Sequence, residues 1–154
     1  MTGTWMLAIA LGLLGACGKD AAPPSAGSVT PTRKPCDYLA RADAEAALEL
    51  ALPGTTETEG TGECNYHSAE FYGVTFATGT WEGVTQSANT GGQNHPAVPV
   101  TGVGDEALSQ GSHLYVRKGE RGLVVSLNGP AVDADRAKAI DRARGLAIKI
   151  LTKM

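Results

Sequence analysis

The chain has few aromatic residues, no concentration of positive charge and no long apolar run. Aromatic residues make up 5% of it, and its formal net charge is -3. Because no cluster of Lys and Arg is present to neutralise phosphates, the sequence argues against a nucleic-acid partner. Its longest apolar run, residues 5–14, has about ten residues, whereas a membrane-spanning helix requires ~20.

Motifs of nucleophilic catalysis are also absent. The chain contains no G-x-S-x-G segment, in which a strained turn exposes a nucleophilic serine. Ser112 and His113 are adjacent, so on a strand they would point to opposite faces and could not share a proton. The sequence therefore predicts no enzymatic activity.

Residues 102–107 match the dinucleotide-binding pattern G-x-G-x-x-A, but their surroundings do not fit that function. The pattern must follow a buried strand and open a helix, whereas here two prolines precede it and a strand-like segment follows. We expect the glycines to form tight turns and Asp105 or Glu106 to accept backbone N–H groups. No cofactor is predicted.

The N-terminal apolar run ends in Leu14-Gly15-Ala16-Cys17. Its length and the small residues before the cysteine resemble a bacterial lipoprotein signal with its lipobox. The resemblance implies cleavage after residue 16, attachment of lipid to the Cys17 thiol and a place in the cell envelope, outside the cytoplasm. The competing interpretation is a short N-terminal helix, which would lack a polar face to present to water.

The sequence divides into three parts: a signal peptide (1–16), a lipidated cysteine with a flexible linker (17–34) and one globular domain (35–154). The linker is rich in Pro, Ser, Gly, Ala and Thr and cannot bury enough apolar area to fold. Lipidation of Cys17 leaves Cys36 and Cys64, which we expect to form a disulfide. A metal site that joins these thiols to histidines is the alternative, but no close ligand spacing supports it.

Within the domain, residues 37–50 and the region from Val132 onward have the spacing of amphipathic helices, the second with Asp133 as a candidate cap. Strands are predicted from residue 64, over 71–81 and over the hairpin 112–118 and 122–128. Residues 55–62 and 83–99 are predicted as loops. The expected fold is α+β: an antiparallel sheet of about four strands, with the N-terminal and C-terminal helices on one face.

Four motifs follow the lipobox along the domain: C-D-Y-L at 36–39, E-C-N-Y at 63–66, G-V-G-D-E-A at 102–107 and L-Y-V-R-K-G at 114–119. Together they resemble small bacterial envelope lipoproteins that carry a domain of unknown function. The resemblance implies a sheet pinned by a disulfide, and it brings no catalytic residue, metal or ligand with it.

These patterns predict a non-enzymatic, membrane-anchored lipoprotein that serves as a binding or structural module of the envelope. Strand alternation would place His113, Tyr115 and Arg117 on the side of the sheet away from the helices, as a candidate surface for an envelope protein or polysaccharide. Their predicted neighbours on that side are Thr75, Ala77, Val124 and Ser126. An ordinary solvent-facing sheet surface is the alternative interpretation. The alternative function is that of an accessory envelope hydrolase or weak enzyme.

Replacing Cys17 by Ser should abolish lipid attachment, because the Cys17 thiol is the acceptor that the lipobox supplies. We expect no incorporation of labelled palmitate and either an unprocessed precursor or a soluble form. Palmitate labelling followed by detergent phase partitioning measures both effects. Unchanged labelling and partitioning of the variant would show that the lipobox is misassigned.

Overall fold

The computed structural model describes residues 33–91 and 95–154, and these residues form an α+β domain with one antiparallel sheet. Its strands are β1 (Gly54–Thr58), β2 (Glu63–His67), β3 (Gly73–Thr80), β4 (Val98–Pro99), β5 (Glu106–Gln110), β6 (His113–Lys118) and β7 (Arg121–Asn128). Its helices are α1 (Arg41–Leu48), α2 (Trp81–Gly91), α3 (Pro130–Ala134) and α4 (Arg136–Leu151), and two 3-10 helices span Pro35–Tyr38 and Glu59–Thr61. No helix in these ranges is long and apolar enough to cross a membrane.

The strand order is β1-β2-β3-β7-β6-β5-β4. Each half of the sheet is a meander, and the two halves join where β3 pairs with β7 along its whole length, from Gly73 opposite Asn128 to Thr80 opposite Arg121. This central pairing connects residues that are far apart in sequence. It leaves β1 and the two-residue β4 at the edges of the sheet.

One side of the sheet, which we call the first face, is covered by helices and forms the core. Alternate residues of each strand point to it, because successive side chains of a strand project to opposite sides. The first-face residues Cys64, Tyr66, Val74, Phe76, Ala107, Leu114, Val116, Leu123, Val125 and Leu127 are all 5% exposed or less. Burial of these apolar side chains is the main stabilising contribution to the domain.

The helices α1 and α4 lie side by side on the first face. Their buried residues are small or aliphatic, so both helices approach the sheet closely: Ala44, Leu48, Ala139, Ala143, Leu146, Ala147, Ile150 and Leu151. Two ion pairs join them, Lys149 with Asp43 (2.5 Å) and Arg142 with Glu49 (2.6 Å). Since these pairs are partly exposed, the apolar contact contributes more than the charges.

The opposite side of the sheet, the second face, carries α2 over one end. Gly79 and Gly122 are paired across β3 and β7 and both face α2. A Cβ at Gly122 would collide with Val84 and lie 2.8 Å from the Thr80 carbonyl oxygen. The two glycines therefore make room for α2, and Val84 is buried against them at 7% exposure.

The sequence-based fold was wrong in the number of strands and in the placement of the helices. All four predicted strands are present, but β1, β4 and β5 extend the sheet to seven strands within the described residues. The helices are not confined to the two ends of the domain, since α2 lies mid-chain and on the second face. β1 was missed because G-T-T-E-T has no apolar alternation, and four of its five residues are exposed.

The helix boundaries also differ from those predicted. The predicted helix 37–50 is divided: a 3-10 turn ends at Tyr38, and α1 begins at Arg41. Asp135, not Asp133, caps α4, because its side chain accepts the Lys138 N–H at 3.0 Å. The predicted loop 83–99 overlaps α2 and β4, whose few apolar residues gave no clear period.

The expectation for residues 102–107 is confirmed. Gly102 and Gly104 have φ values of 80° and 61°, so both occupy the left-handed region that glycine adopts without strain. The Asp105 carboxylate accepts the Gly119 N–H at 2.6 Å, which ties this corner to the turn between β6 and β7. The segment leads into β5 and not into a helix.

The predicted disulfide is also confirmed. Cys36 and Cys64 are bonded with their Cα atoms 5.1 Å apart, and Cys64 is fully buried on the first face. Beside the disulfide, the Tyr66 hydroxyl donates to the Leu39 carbonyl oxygen at 2.8 Å. Burial raises the pKa of Tyr66, which keeps this hydroxyl protonated as a donor. Two links therefore hold the start of the domain to β2.

Reduction of this disulfide should destabilise the domain substantially. Closing a loop with a sequence separation of 28 residues contributes about 3.5 kcal/mol in the chain-entropy model. We expect the melting temperature to fall by about 10 °C or more on reduction, measured by circular dichroism with and without a reductant. Removing both thiols in C36A/C64A should reproduce the shift, and an unchanged melting temperature in both cases would contradict a stabilising bridge.

Candidate functional site

The second face contains the three residues predicted to form a partner surface. His113, Tyr115 and Arg117 alternate along β6 with the buried Leu114 and Val116, so they point away from the first face. Their surroundings differ, however: His113 is exposed, Arg117 is partly exposed and Tyr115 is only 5% exposed. The register of the sheet explains these differences, because each residue belongs to a different row across the strands.

His113 lies in a polar row that crosses five strands. The pairings Thr56–Asn65, Asn65–Thr75, Thr75–Ser126 and Ser126–His113 place one uncharged polar side chain on each of β1, β2, β3, β7 and β6. Directly opposed residues of antiparallel strands point to the same face, so these side chains are neighbours. Thr56 and His113 are exposed, and the three residues between them are partly exposed, which leaves the row open to solvent.

The centre of this row contains polar side chains without a protein partner. Within the described part of the chain, neither the Asn65 amide nor the Thr75 hydroxyl hydrogen-bonds to another residue. The amide offers two donors and one acceptor oxygen, and the hydroxyl offers one donor and an acceptor. Both side chains are partly exposed, so these groups are available to water or to a ligand.

At one end of the row, the ring nitrogen Nδ1 of His113 lies 2.6 Å from the Ser126 hydroxyl oxygen. Desolvation lowers the pKa of His113, so the neutral imidazole is favoured near neutral pH. The pair brings together a hydroxyl and a base, as nucleophilic catalysis requires. No described carboxylate bonds to the second ring nitrogen of this histidine, and the backbone here is engaged in strand pairing.

Tyr115 belongs to the adjacent, more apolar row. Its directly opposed neighbours are Val124 on β7 and Leu108 on β5, and Ala77 lies beyond Val124 on β3. Burial raises the pKa of Tyr115, in agreement with its low exposure. Tyr115 therefore packs against its neighbours in the sheet and offers little contact area to a partner. Sequence alternation placed it on the same side as His113 but did not indicate its burial.

Arg117 lies in the third row, under the end of the face that carries α2. Its guanidinium pairs with Glu106 on β5 at 3.2 Å, and its Nε is buried without a hydrogen-bond partner among the described residues. Along the row its neighbour on β7 is Gly122, which contacts Val84 of α2. The row of Tyr115 thus lies between Arg117 and His113, which are about 13 Å apart along the strand.

A stacked aromatic pair borders the open end of the second face. His67 of β2 lies over Gly54, and its Nε2 is 3.5 Å from the Thr56 hydroxyl. The Phe71 ring stacks against His67 with their centroids 6.2 Å apart and an angle of 19° between the ring planes. Phe71 is 78% exposed, which is the greatest exposure among the large apolar side chains described.

The backbone holds Phe71 in an unusual conformation. Its φ is 62°, a region that a bulky residue rarely adopts and that costs free energy. The Phe71 N–H donates to the Ser68 carbonyl oxygen at 3.1 Å, and the Asn128 amide donates to the Phe71 carbonyl oxygen at 3.2 Å. Two contacts from different parts of the chain thus stabilise an outward-facing phenyl ring.

We call the open area the polar platform. It consists of Thr56, Asn65, Thr75, Ser126, His113, His67, Asn128 and Phe71. Sequence reasoning identified His113 and named Thr75 and Ser126 as its neighbours, but it missed the other five. The alternation of Asn65 and His67 with the apolar Cys64 and Tyr66 is the sequence signal that could have placed the first two on this face. No sequence signal indicates the conformation of Phe71, because no glycine marks its turn.

The described residues contain no group of three or more His, Cys, Asp or Glu side chains that could hold a metal ion. The thiols of the proposed alternative metal site are joined in the disulfide instead. The polar platform can form hydrogen bonds through hydroxyl, amide and imidazole groups, place a hydroxyl beside a base at Ser126 and His113, and offer an aromatic ring for stacking.

The desolvation of His113 predicts a specific pH dependence. The pKa of His113 in the folded protein should be lower than its ordinary value of 6.5. The neutral ring therefore contributes its full stabilisation above pH 6.5, and this contribution is lost as the pH falls from 6.5 to the pKa of the folded state. NMR titration of the imidazole in the native and urea-unfolded chain measures both pKa values. Equal values in the two states would contradict the prediction.

His113→Asn is the matched variant, because an Asn side chain can replace Nδ1 as the partner of Ser126 and does not titrate. Urea denaturation at pH 7 and pH 5 should show a larger loss of stability for the native chain than for this variant. The difference between the two chains isolates His113 from the other groups that titrate over this range.

No family model, no curated protein and no solved structure matches this chain.

Proposed function

We propose that this protein is a lipid-anchored binding module of a bacterial cell envelope and that it binds its partner through the polar platform. The observation that carries the binding role is the pair of unpartnered side chains, Asn65 and Thr75, at the centre of an open sheet face. Asn65 lies on β2 and Thr75 on β3, and each of these strands is paired on both sides. A surface fixed in this way binds a partner with little loss of conformational freedom.

The anchoring part of the proposal rests on the cysteines. The described domain uses Cys36 and Cys64 in a disulfide, which leaves Cys17 as the one remaining cysteine of the chain. A structural disulfide favours an oxidising compartment such as the envelope. Lipid attachment at the lipobox would account for this third cysteine. Cys17 itself lies outside the described residues. Two or more acyl chains on it would hold the protein durably at a membrane.

The contact between His113 and Ser126 favours a second candidate function, that of an accessory envelope hydrolase or weak enzyme. An imidazole nitrogen at 2.6 Å from a serine hydroxyl could accept its proton. Hydrolysis of a p-nitrophenyl ester that disappears in Ser126→Ala, with the fold retained, would favour this alternative over a binding module.

Site-specific photo-crosslinking tests the binding role. A photoreactive phenylalanine analogue is placed at Thr56 or Thr75 on the polar platform, and at Ile148 as a control. Ile148 is 46% exposed and lies on α4, on the other side of the sheet. Irradiation of cells that produce the protein should yield adducts from the two platform positions and not from Ile148. Equal adducts from all three positions, or none from the platform, would contradict the proposal.

A further inference from the structure

We propose that the polar platform binds a neutral polysaccharide, with sugar hydroxyls bonded along the polar row and one sugar ring stacked on Phe71. The inference rests on the proposed binding function and names the class of its ligand. Three properties of the polar platform carry it: its lack of charge, its hydrogen-bonding groups and its exposed aromatic ring.

The polar platform contains no Lys, Arg, Asp or Glu. The charged residues of the strands on the second face are Glu63, in the row of Ala77, and the ion pair of Arg117 with Glu106 in the row beyond. Glu70 precedes Phe71 in the turn between β2 and β3. An anionic polymer or a phosphate-rich surface would require cations, as counterion release does for nucleic acids. A protein partner is a poorer fit, since protein interfaces favour Tyr, Trp, Phe, Met and Arg as anchors, and the polar platform offers only Phe71 of these.

The side chains of the polar row match the chemistry of sugar hydroxyls. Each hydroxyl of Thr56, Thr75 and Ser126 can donate and accept, and the amide of Asn65 can do both through different atoms. A sugar hydroxyl has the same dual capacity, so a chain of sugars can bond to every position of the row. The row crosses four spacings between strands, or ~19 Å, which is long enough for an extended oligosaccharide.

Phe71 supplies the aromatic surface. One face of a sugar ring consists of C–H groups, whose slightly positive hydrogens are attracted to the negative face of an aromatic ring. Phe71 is held outward despite the energetic cost of its φ of 62°, and Asn128 bonds to its carbonyl oxygen. Its partner His67 also contacts Thr56, so the ring pair is continuous with the polar row.

The full-length lipoprotein in detergent is tested against immobilised dextran, mannan and galactan as neutral probes, and against polygalacturonate as an anionic one. We expect retention on at least one neutral polymer, unchanged in high salt because no ion pairs are involved. Binding to polygalacturonate alone, binding abolished by salt, or no binding to any neutral polymer would overturn the inference.

Two variants locate the binding. Phe71→Asn removes the ring while keeping a residue that tolerates a positive φ, and Asn65→Ala removes the central amide. Each should weaken retention by about tenfold. Val98→Asn is the matched control, because it removes an apolar side chain of 53% exposure from the far edge strand. Thermal unfolding verifies that each variant folds. Full retention in both platform variants would overturn the inference.

The crosslinking experiment separates this inference from the function on which it rests. Adducts from Thr75 that periodate destroys contain sugars with vicinal hydroxyls and support the polysaccharide. Adducts that a protease digests and periodate leaves intact, together with no retention on the neutral polymers, would overturn the polysaccharide while the binding function stands. No adducts and no retention would overturn both.

Discussion

The structure depends on the alternation of side chains along the central strands β3, β7 and β6. Each of these strands sends one set of residues into a filled apolar core and the other set to the second face. A shift of one residue in the pairing of β3 with β7 would exchange the two sets and expose Val125 and Phe76. The burial of the first face therefore fixes which residues form the polar platform.

The second face is not uniform, and a pair of glycines marks the division. Gly79 and Gly122 provide space for α2 at one end, where Val84 is buried. Farther along the strands the side chains become small and polar, and the face is open to solvent. The same sheet thus supports a covered end, which contributes packing, and an open end, where Asn65 and Thr75 retain unused hydrogen-bonding capacity.

Local signals predicted part of this architecture. The β6–β7 hairpin and α4 follow from patterns within one segment, and the disulfide follows from counting cysteines. Local patterns could not predict three other features, because these depend on neighbours distant in sequence: the polar strand β1, the pairing of β3 with β7 and the polar row. Tyr115 shows how far alternation can be used. Alternation predicted correctly the side of the sheet on which Tyr115 lies, but the burial of Tyr115 depends on its neighbours on adjacent strands.

The attachment of the chain to the domain is also determined by the sheet. Cys36 is bonded to Cys64 on the first face, and the Tyr66 hydroxyl bonds to Leu39 on the same side. The described chain therefore enters the domain in the helical layer, whereas the polar platform lies on the opposite side of the sheet. The disulfide that stabilises the domain therefore also holds the first described residues on the side of the sheet opposite the polar platform.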